Sequence, residues 1–140
     1  MIGETWCSEG MREDMNVRFA GSSGTTTHEK LEIFFFSNDY TPSNDCTKSD
    51  LTEITLNNMK KKDLVNTNFA PAVVEGLNCV SKYAEGTGAV WIANGTQTLY
   101  GWAVQGSSTN KMYYVKNVGE QTFVTGDNYQ VEPINFRFGI

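Results

Sequence analysis

Apolar residues fill Leu31–Phe36 (LEIFFF) at every position but Glu32, with Leu31, Ile33 and Phe35 on one side of an extended chain and Phe34 and Phe36 on the other. That pattern predicts a strand covered on both faces, by a partner subunit or by the N-terminal segment. Upstream, Trp6, Met11, Met15 and Phe19 recur mostly at helical intervals, while Glu9, Glu13 and Asp14 face away. The periodicity predicts a helix over residues 3–20, weakened by Gly10 and ended by Gly21-Ser22-Ser23-Gly24. Small polar residues at 22–27 then read as a flexible linker. This segment is either an arm that docks on a neighbour or a helix that caps one end of the domain.

Downstream, the signals are those of short strands. Residues 59–65 read as a polar strand, and 77–83 as another with alternating faces. Asn94-Gly95 between two apolar runs predicts a two-residue hairpin joining 89–93 to 96–104. In the second arm Tyr100, Trp102 and Val104 share one face, and Leu99, Gly101 and Ala103 share the other. Gly101, between two aromatics, marks a close backbone approach or a bulge. Strands follow at 111–115 and 121–124, then a turn at Gly126-Asp127-Asn128. The adjacent Tyr113 and Tyr114 have opposed faces, so one of them is expected to look outward or into a partner. After Pro133 the apolar phase slips by one residue, from Tyr129 and Val131 to Ile134, Phe136, Phe138 and Ile140. Strict alternation cannot slip without a bulge or a change of sheet. The expected fold is all-β: an antiparallel β-sandwich or jelly roll at 28–140, a closed barrel being the next option, with a helix or arm and linker at 1–27.

Four pieces stand in order along the chain: Ser37-Asn38-Asp39-Tyr40-Thr41-Pro42, Asp50-Leu51-Thr52-Glu53, Gln97-Thr98-Leu99-Tyr100-Gly101-Trp102-Ala103-Val104 and Gly126-Asp127-Asn128-Tyr129-Gln130-Val131-Glu132-Pro133. Their order and spacing resemble those of small virion structural proteins of tailed bacteriophages, including cyanophages. The chain departs from that pattern at Trp102, where a smaller aromatic is expected, and in its cysteines. The resemblance implies a structural role without chemistry: a capsid decoration (cement) protein, in contact with the major capsid protein or other virion subunits and located in the virion. A homotrimer is implied in the same way. The alternative it leaves is a tail, baseplate or fibre module that recognises a host-surface glycan or protein. Aromatics on a sheet face stack on sugars or anchor interfaces when they are not core. The candidate interface residues are therefore Trp6, Met11, Met15, Phe19, Phe34, Phe36, Tyr100, Trp102 and Tyr114.

Composition narrows the function classes. The chain has 140 residues, enough for one domain with a core; 39% are hydrophobic and only 19% charged, with Asn, Thr and Ser making up the difference. The net charge of −5 disfavours nucleic acid, whose binding needs a basic face, and the run Lys60-Lys61-Lys62 reads as an edge gatekeeper. No apolar run approaches the roughly 20 residues that span a bilayer, so no membrane partner is expected, and the N-terminus is too polar for a signal peptide. Cys7, Cys46 and Cys79 lack the spacing of zinc or redox motifs and read as free thiols of a reducing cytoplasm. Asn94-Gly95-Thr96 matches a glycosylation sequon and reads as a turn. His28 has no positioned nucleophile nearby, so no enzyme is expected. The oxygen donors Asn38, Asp39, Asn44, Asp45, Asp50 and Glu53 do not follow a calcium-loop spacing and read as turn caps, with Asp50 capping a turn at 51–55. Gly86, Gly88 and Gly119 lack a phosphate-loop lysine. No cofactor and no metal is expected.

Overall fold

The computed structural model describes residues 2–15, 30–64, 73–75, 78–83, 91–131 and 134–139. The expected linker at 22–27 lies outside them, as do Phe19, His28, Gly86, Gly88 and Pro133 and the side chains of Met11, Met15 and Cys79. In chain order the described elements are β1 (Gly3–Trp6), α1 (Ser8–Met15), β2 (Leu31–Phe36), a 3-10 turn (Lys48–Asp50), β3 (Lys62–Asp63), β4 (Val73–Glu75), β5 (Asn78–Tyr83), β6 (Trp91–Ile92), β7 (Gln97–Gly106), β8 (Met112–Phe123), β9 (Asn128–Tyr129) and β10 (Ile134–Gly139). Every strand pair among the described residues is antiparallel, and the fold class is all-β.

The central sheet has the order β1-β8-β7-β2-β3. Its strand β2 is buried on both faces, as its apolar residues on both sides require. Ile33 and Phe35 join a first cluster with Trp91, Leu99, Trp102, Val104, Tyr114 and Val131. Phe34 and Phe36 join a second with Cys7, Cys46, Leu51, Ala103, Met112 and Val115. Each fully buried Phe or Ile side chain stabilises the fold by about 1.5–3 kcal/mol. The covers come from the chain itself. Over the first face lie Ile54, Met59 and Leu64 together with the two-stranded β6-β9 sheet. Over the second lie the 37–53 loop and the start of α1.

Strand alternation breaks where Gly101 stands. Leu99 and Trp102 share the first cluster although they are three residues apart, and Tyr100 packs with Ala103 on the second. This corrects the expected face assignment of Leu99 and Tyr100, while the bulge itself is present as a register shift between Leu99 and Gly101. A Cβ on Gly101 would lie 1.9 Å from the Lys116 carbonyl oxygen, so the strands approach as closely here as only glycine allows. A second register shift, between Val104 and Gln105, lets Tyr113 and Tyr114 both turn inward, at 4% and 6% exposure. Neither looks outward, contrary to the alternation argument, because the bulge removes its premise.

Other expectations are corrected by long-range pairing. Residues 3–6 are not helical. They form an edge strand on β8, with Trp6 opposite Tyr114, and the helix starts at Ser8. Backbone pairing with an available sheet edge overrides the weak helical periodicity, and Gly3 is a poor helix former. Gly10 then serves a purpose, since its missing Cβ would meet the Met112 carbonyl at 2.5 Å and the Tyr113 ring at 2.6 Å. Residues 3–15 are thus built into the sheet, so removing them would uncover the second cluster rather than release a free arm. Asn94-Gly95 does not close a hairpin: β6 pairs with β9, and the turn redirects the chain from one sheet to another. Asn57 and Asn58, both in left-handed conformation (φ 56° and 63°), lock this turn, with Asn57 O accepting from Asn94 N at 2.9 Å. The polar strand expected at 59–65 shrinks to β3, and Met59 is fully buried. The strands expected at 111–115 and 121–124 are one twelve-residue strand, β8. The change of sheet near Pro133 is present: β9 pairs with β6, whereas β10 pairs with β5 in the sheet β10-β5-β4.

Candidate functional site

The 37–53 loop, which carries two of the four motif pieces, forms a fastened platform on the second face of the central sheet. Asn38 clamps its two ends, donating from Nδ2 to the Asp50 carbonyl at 2.9 Å and accepting the Thr52 N–H at 2.8 Å. Asn117, fully buried on β8, donates to Asp39 Oδ1 at 2.8 Å and to the Tyr40 carbonyl at 2.9 Å, and accepts from Gly119 N at 2.8 Å. Asp50 accepts the Thr47 N–H at 2.9 Å, so it caps the turn Lys48–Asp50 to which it belongs and not the expected turn after it. Glu53 pairs with Lys48. Of the oxygen donors weighed as calcium ligands, Asn38, Asp50 and Glu53 are therefore engaged inside the loop and Asp39 by Asn117, and the described residues hold no cluster of three or more His, Cys, Asp or Glu that could take a metal.

A polar chain crosses the buried edge of this platform. Lys61 Nζ donates to Glu32 Oε1 at 3.2 Å, Gln105 Nε2 donates to the same oxygen at 2.8 Å, and Lys48 Nζ donates to Gln105 Oε1 at 3.0 Å while also meeting Glu53. Glu32 is 6% exposed and Gln105 1%. Lys48 further sits 3.7 Å over the Phe34 ring. Its groups satisfy one another, which is the condition for burying charge without a large desolvation penalty. Sequence reasoning passed over Glu32, Lys48 and Gln105. The signal was there in Glu32 and Gln105, polar positions within otherwise apolar strands.

Cys7 and Cys46 lie under the loop. Both are completely buried in the cluster on the second face, and the Cys46 thiol donates to the Thr47 carbonyl at 3.7 Å. The neighbouring Cys46, reinforced by burial, pushes the Cys7 thiol well above its ordinary range. Cys7 and Tyr40 beside it hold Cys46 below its ordinary value against the opposing effect of burial. Burial in turn raises the Tyr40 phenol, and its contact with Cys46 adds to this. The two cysteines are free, as expected, but their spacing gave no sign that they would share one core cluster.

Of the six sequence-predicted interface residues whose side chains are described, four are core. Phe34, Phe36 and Trp102 are at most 1% exposed, and Tyr114 is buried with its hydroxyl donating to Glu4. They pack inward because the chain covers both faces of its own central sheet. Trp6, edge-on to Tyr114 at 5.0 Å, and Tyr100 remain half-buried. On the first face Phe35 stacks edge-on to Trp91 at 4.7 Å and to Tyr129 at 5.2 Å, and Trp91 Nε1 donates to the Lys60 carbonyl at 2.8 Å. Trp102 Nε1 is buried without a hydrogen-bond partner. An open depression lined by Ser37, Glu53, Ile54, Thr55, Leu56 and Gln97 lies beside the platform and gathers no acid–base pair beyond the Glu53 already held by Lys48. No helix among the described residues is long and apolar enough to cross a membrane.

No family model, no curated protein and no solved structure matches the chain.

Proposed function

We propose that the chain is a non-enzymatic structural subunit of a phage virion, and specifically a capsid decoration protein that clamps neighbouring capsid subunits. The observation that carries this reading is the 37–53 loop. The residues behind the virion resemblance there, Asn38, Asp39, Asp50 and Glu53, all hold the loop in one conformation on the sheet. A rigid outer platform on an all-β body suits adhesion by shape. The mechanism is mechanical: packaged DNA pushes the shell outward, and a body bridging two subunits opposes their separation. Contact of about 800 Å² per partner is the usual scale, and many weak contacts on one shell reinforce each other through effective concentration.

Surfaces available for such contacts include Leu56, Ile92 and Val124, which are 69%, 53% and 52% exposed, and half-buried Trp6 and Tyr100. Beyond Asn117, where β1 ends, the outer edge of β8 has no strand partner among the described residues, and an added strand from a capsid subunit fits there. The partner in this reading is the major capsid protein, the assembly on the shell a homotrimer, and the body a two-layer sandwich. A glycan-reading tail or fibre module is less favoured, because Trp102, its best sugar-stacking residue, is 1% exposed.

The test is to label purified particles that carry this coding sequence with an antibody against the protein and to locate the label by cryo-EM. Regular density on the head is expected. Absence from mature particles refutes the virion reading, and label confined to the tail tip refutes decoration.

A further inference from the structure

Asn94-Gly95 is the only Asn-Gly pair in the sequence, and the turn it forms is pinned on both sides. Ala93 donates its N–H to the Asp127 carbonyl at 2.8 Å, and Asn94 donates its own to the Asn57 carbonyl at 2.9 Å. Past the glycine, the Thr96 carbonyl accepts from Asn57 Nδ2 at 3.2 Å. Between these anchors the reactive groups stay open. Asn94 is exposed, and among the described residues nothing hydrogen-bonds its side-chain amide or the Gly95 N–H. The asparagines that shape the fold are held instead: Asn38 at both side-chain atoms, Asn57 and Asn58 through Nδ2, and buried Asn117 by bonds to Asp39, Tyr40 and Gly119. Residue 95 has to be glycine, since its φ is +137° and a Cβ there would lie 2.3 Å from Asn57 Oδ1. Glycine is also the neighbour that shields an asparagine amide least, because it carries no side chain.

We propose that Asn94 is a self-modification site, at which the folded chain reacts with water to give aspartate and isoaspartate and so releases the turn from Asn57 as the protein ages. The Gly95 nitrogen, its proton taken by solvent hydroxide, attacks Asn94 Cγ. A C–N bond forms, the Cγ–Nδ2 bond breaks, and Nδ2 takes a proton from water and leaves as ammonia. The product is a succinimide ring shared by residues 94 and 95. Water then opens the ring at either of its carbonyls, giving aspartate or isoaspartate. The balance is one side-chain amide and one water converted to one carboxyl group and one ammonia. Either product adds a negative charge to a chain already at −5. Isoaspartate does more, because the main chain then runs through its Cβ. The added carbon falls between the Asn94 N–H and the Thr96 carbonyl, and both of these are bonded to the single residue Asn57. That span is fixed, so lengthening it costs at least one of the two bonds and loosens the entry to β7. The inference concerns this turn alone and stands apart from the virion reading.

The experiment incubates the full chain in mildly alkaline buffer, folded in one arm and unfolded by urea in the other, and samples both over time. Each sample is digested in acid and mapped by mass spectrometry, and isoaspartate is identified by enzymatic methylation. The expected result is conversion of Asn94 to aspartate and isoaspartate in the folded chain at a rate within about tenfold of the unfolded one, while Asn38, Asn57, Asn58 and Asn117 stay intact in the folded chain. The converted chain has a lower urea midpoint than the fresh one. Asn94→Gln, whose longer side chain does not close that ring, prevents both changes; Asn94 lies outside the left-handed region, so glutamine fits its backbone. Should that variant fail to fold, the two rates of the unaltered chain decide alone. Folded conversion slower than unfolded by more than about tenfold, conversion of Asn57 or Asn58 ahead of Asn94, or an unchanged urea midpoint after full conversion would each overturn the proposal.

Discussion

Replacing Gly101 by alanine adds one methyl group where β7 and β8 come closest. The new Cβ would lie 1.9 Å from the Lys116 carbonyl oxygen and 2.8 Å from Phe36 Cζ. Cβ atoms essentially never come within 3.0 Å of such a neighbour, so the strands must separate by about 1.1 Å, and the oxygen, being backbone, cannot swing away as a side chain could. Overpacking of this kind costs about 1–3 kcal/mol, and loosening the Gly101–Asn117 pairing costs about 1 kcal/mol more for each hydrogen bond weakened. We expect a loss of about 3–4 kcal/mol in urea denaturation followed by tryptophan fluorescence, or about 10 °C in Tm for a chain of this size. Gly126→Ala is the control. Nothing lies within 4 Å of its Cβ, and only its left-handed backbone (φ +95°) resists a side chain, which costs about 1–2 kcal/mol. If Gly101→Ala proves no more costly than Gly126→Ala, the close approach and the bulge are wrong.

Gly10→Ala sets two effects against each other: alanine favours an isolated helix by about 1 kcal/mol, but its Cβ would overlap the Met112 carbonyl and Tyr113. The steric term should win, lowering stability by about 1–3 kcal/mol, and hydrogen exchange should show α1 loosened from β8 before the rest of the sheet. Gln105→Leu leaves buried Glu32 with Lys61 alone and takes an acceptor from Lys48; a loss of about 2–3 kcal/mol is expected in the urea midpoint. Asn57→Ala removes the Nδ2 bonds to the Thr96 carbonyl and Gln97 Oε1 and places a left-handed strain on alanine; about 2 kcal/mol should be lost.

The sequence by itself determined the fold class, the double-faced burial of Leu31–Phe36, the anomaly at Gly101 and the change of sheet between Tyr129 and Ile134. Each of these is written in local terms: a run of apolar residues, a glycine among aromatics, a slipped alternation. Only the tertiary structure decided that residues 3–6 extend along β8, that the strand before Asn94-Gly95 pairs with β9 more than thirty residues away, and that both Tyr113 and Tyr114 turn inward. It also decided that the proposed surface aromatics Phe34, Phe36 and Trp102 are core, and that Cys7 and Cys46 are neighbours. The physical reason is the same throughout. A side chain's periodicity constrains its own backbone, whereas strand pairing, cover and contact depend on which distant segment supplies the unpaired backbone groups or the apolar surface, and that is settled only when the whole chain packs.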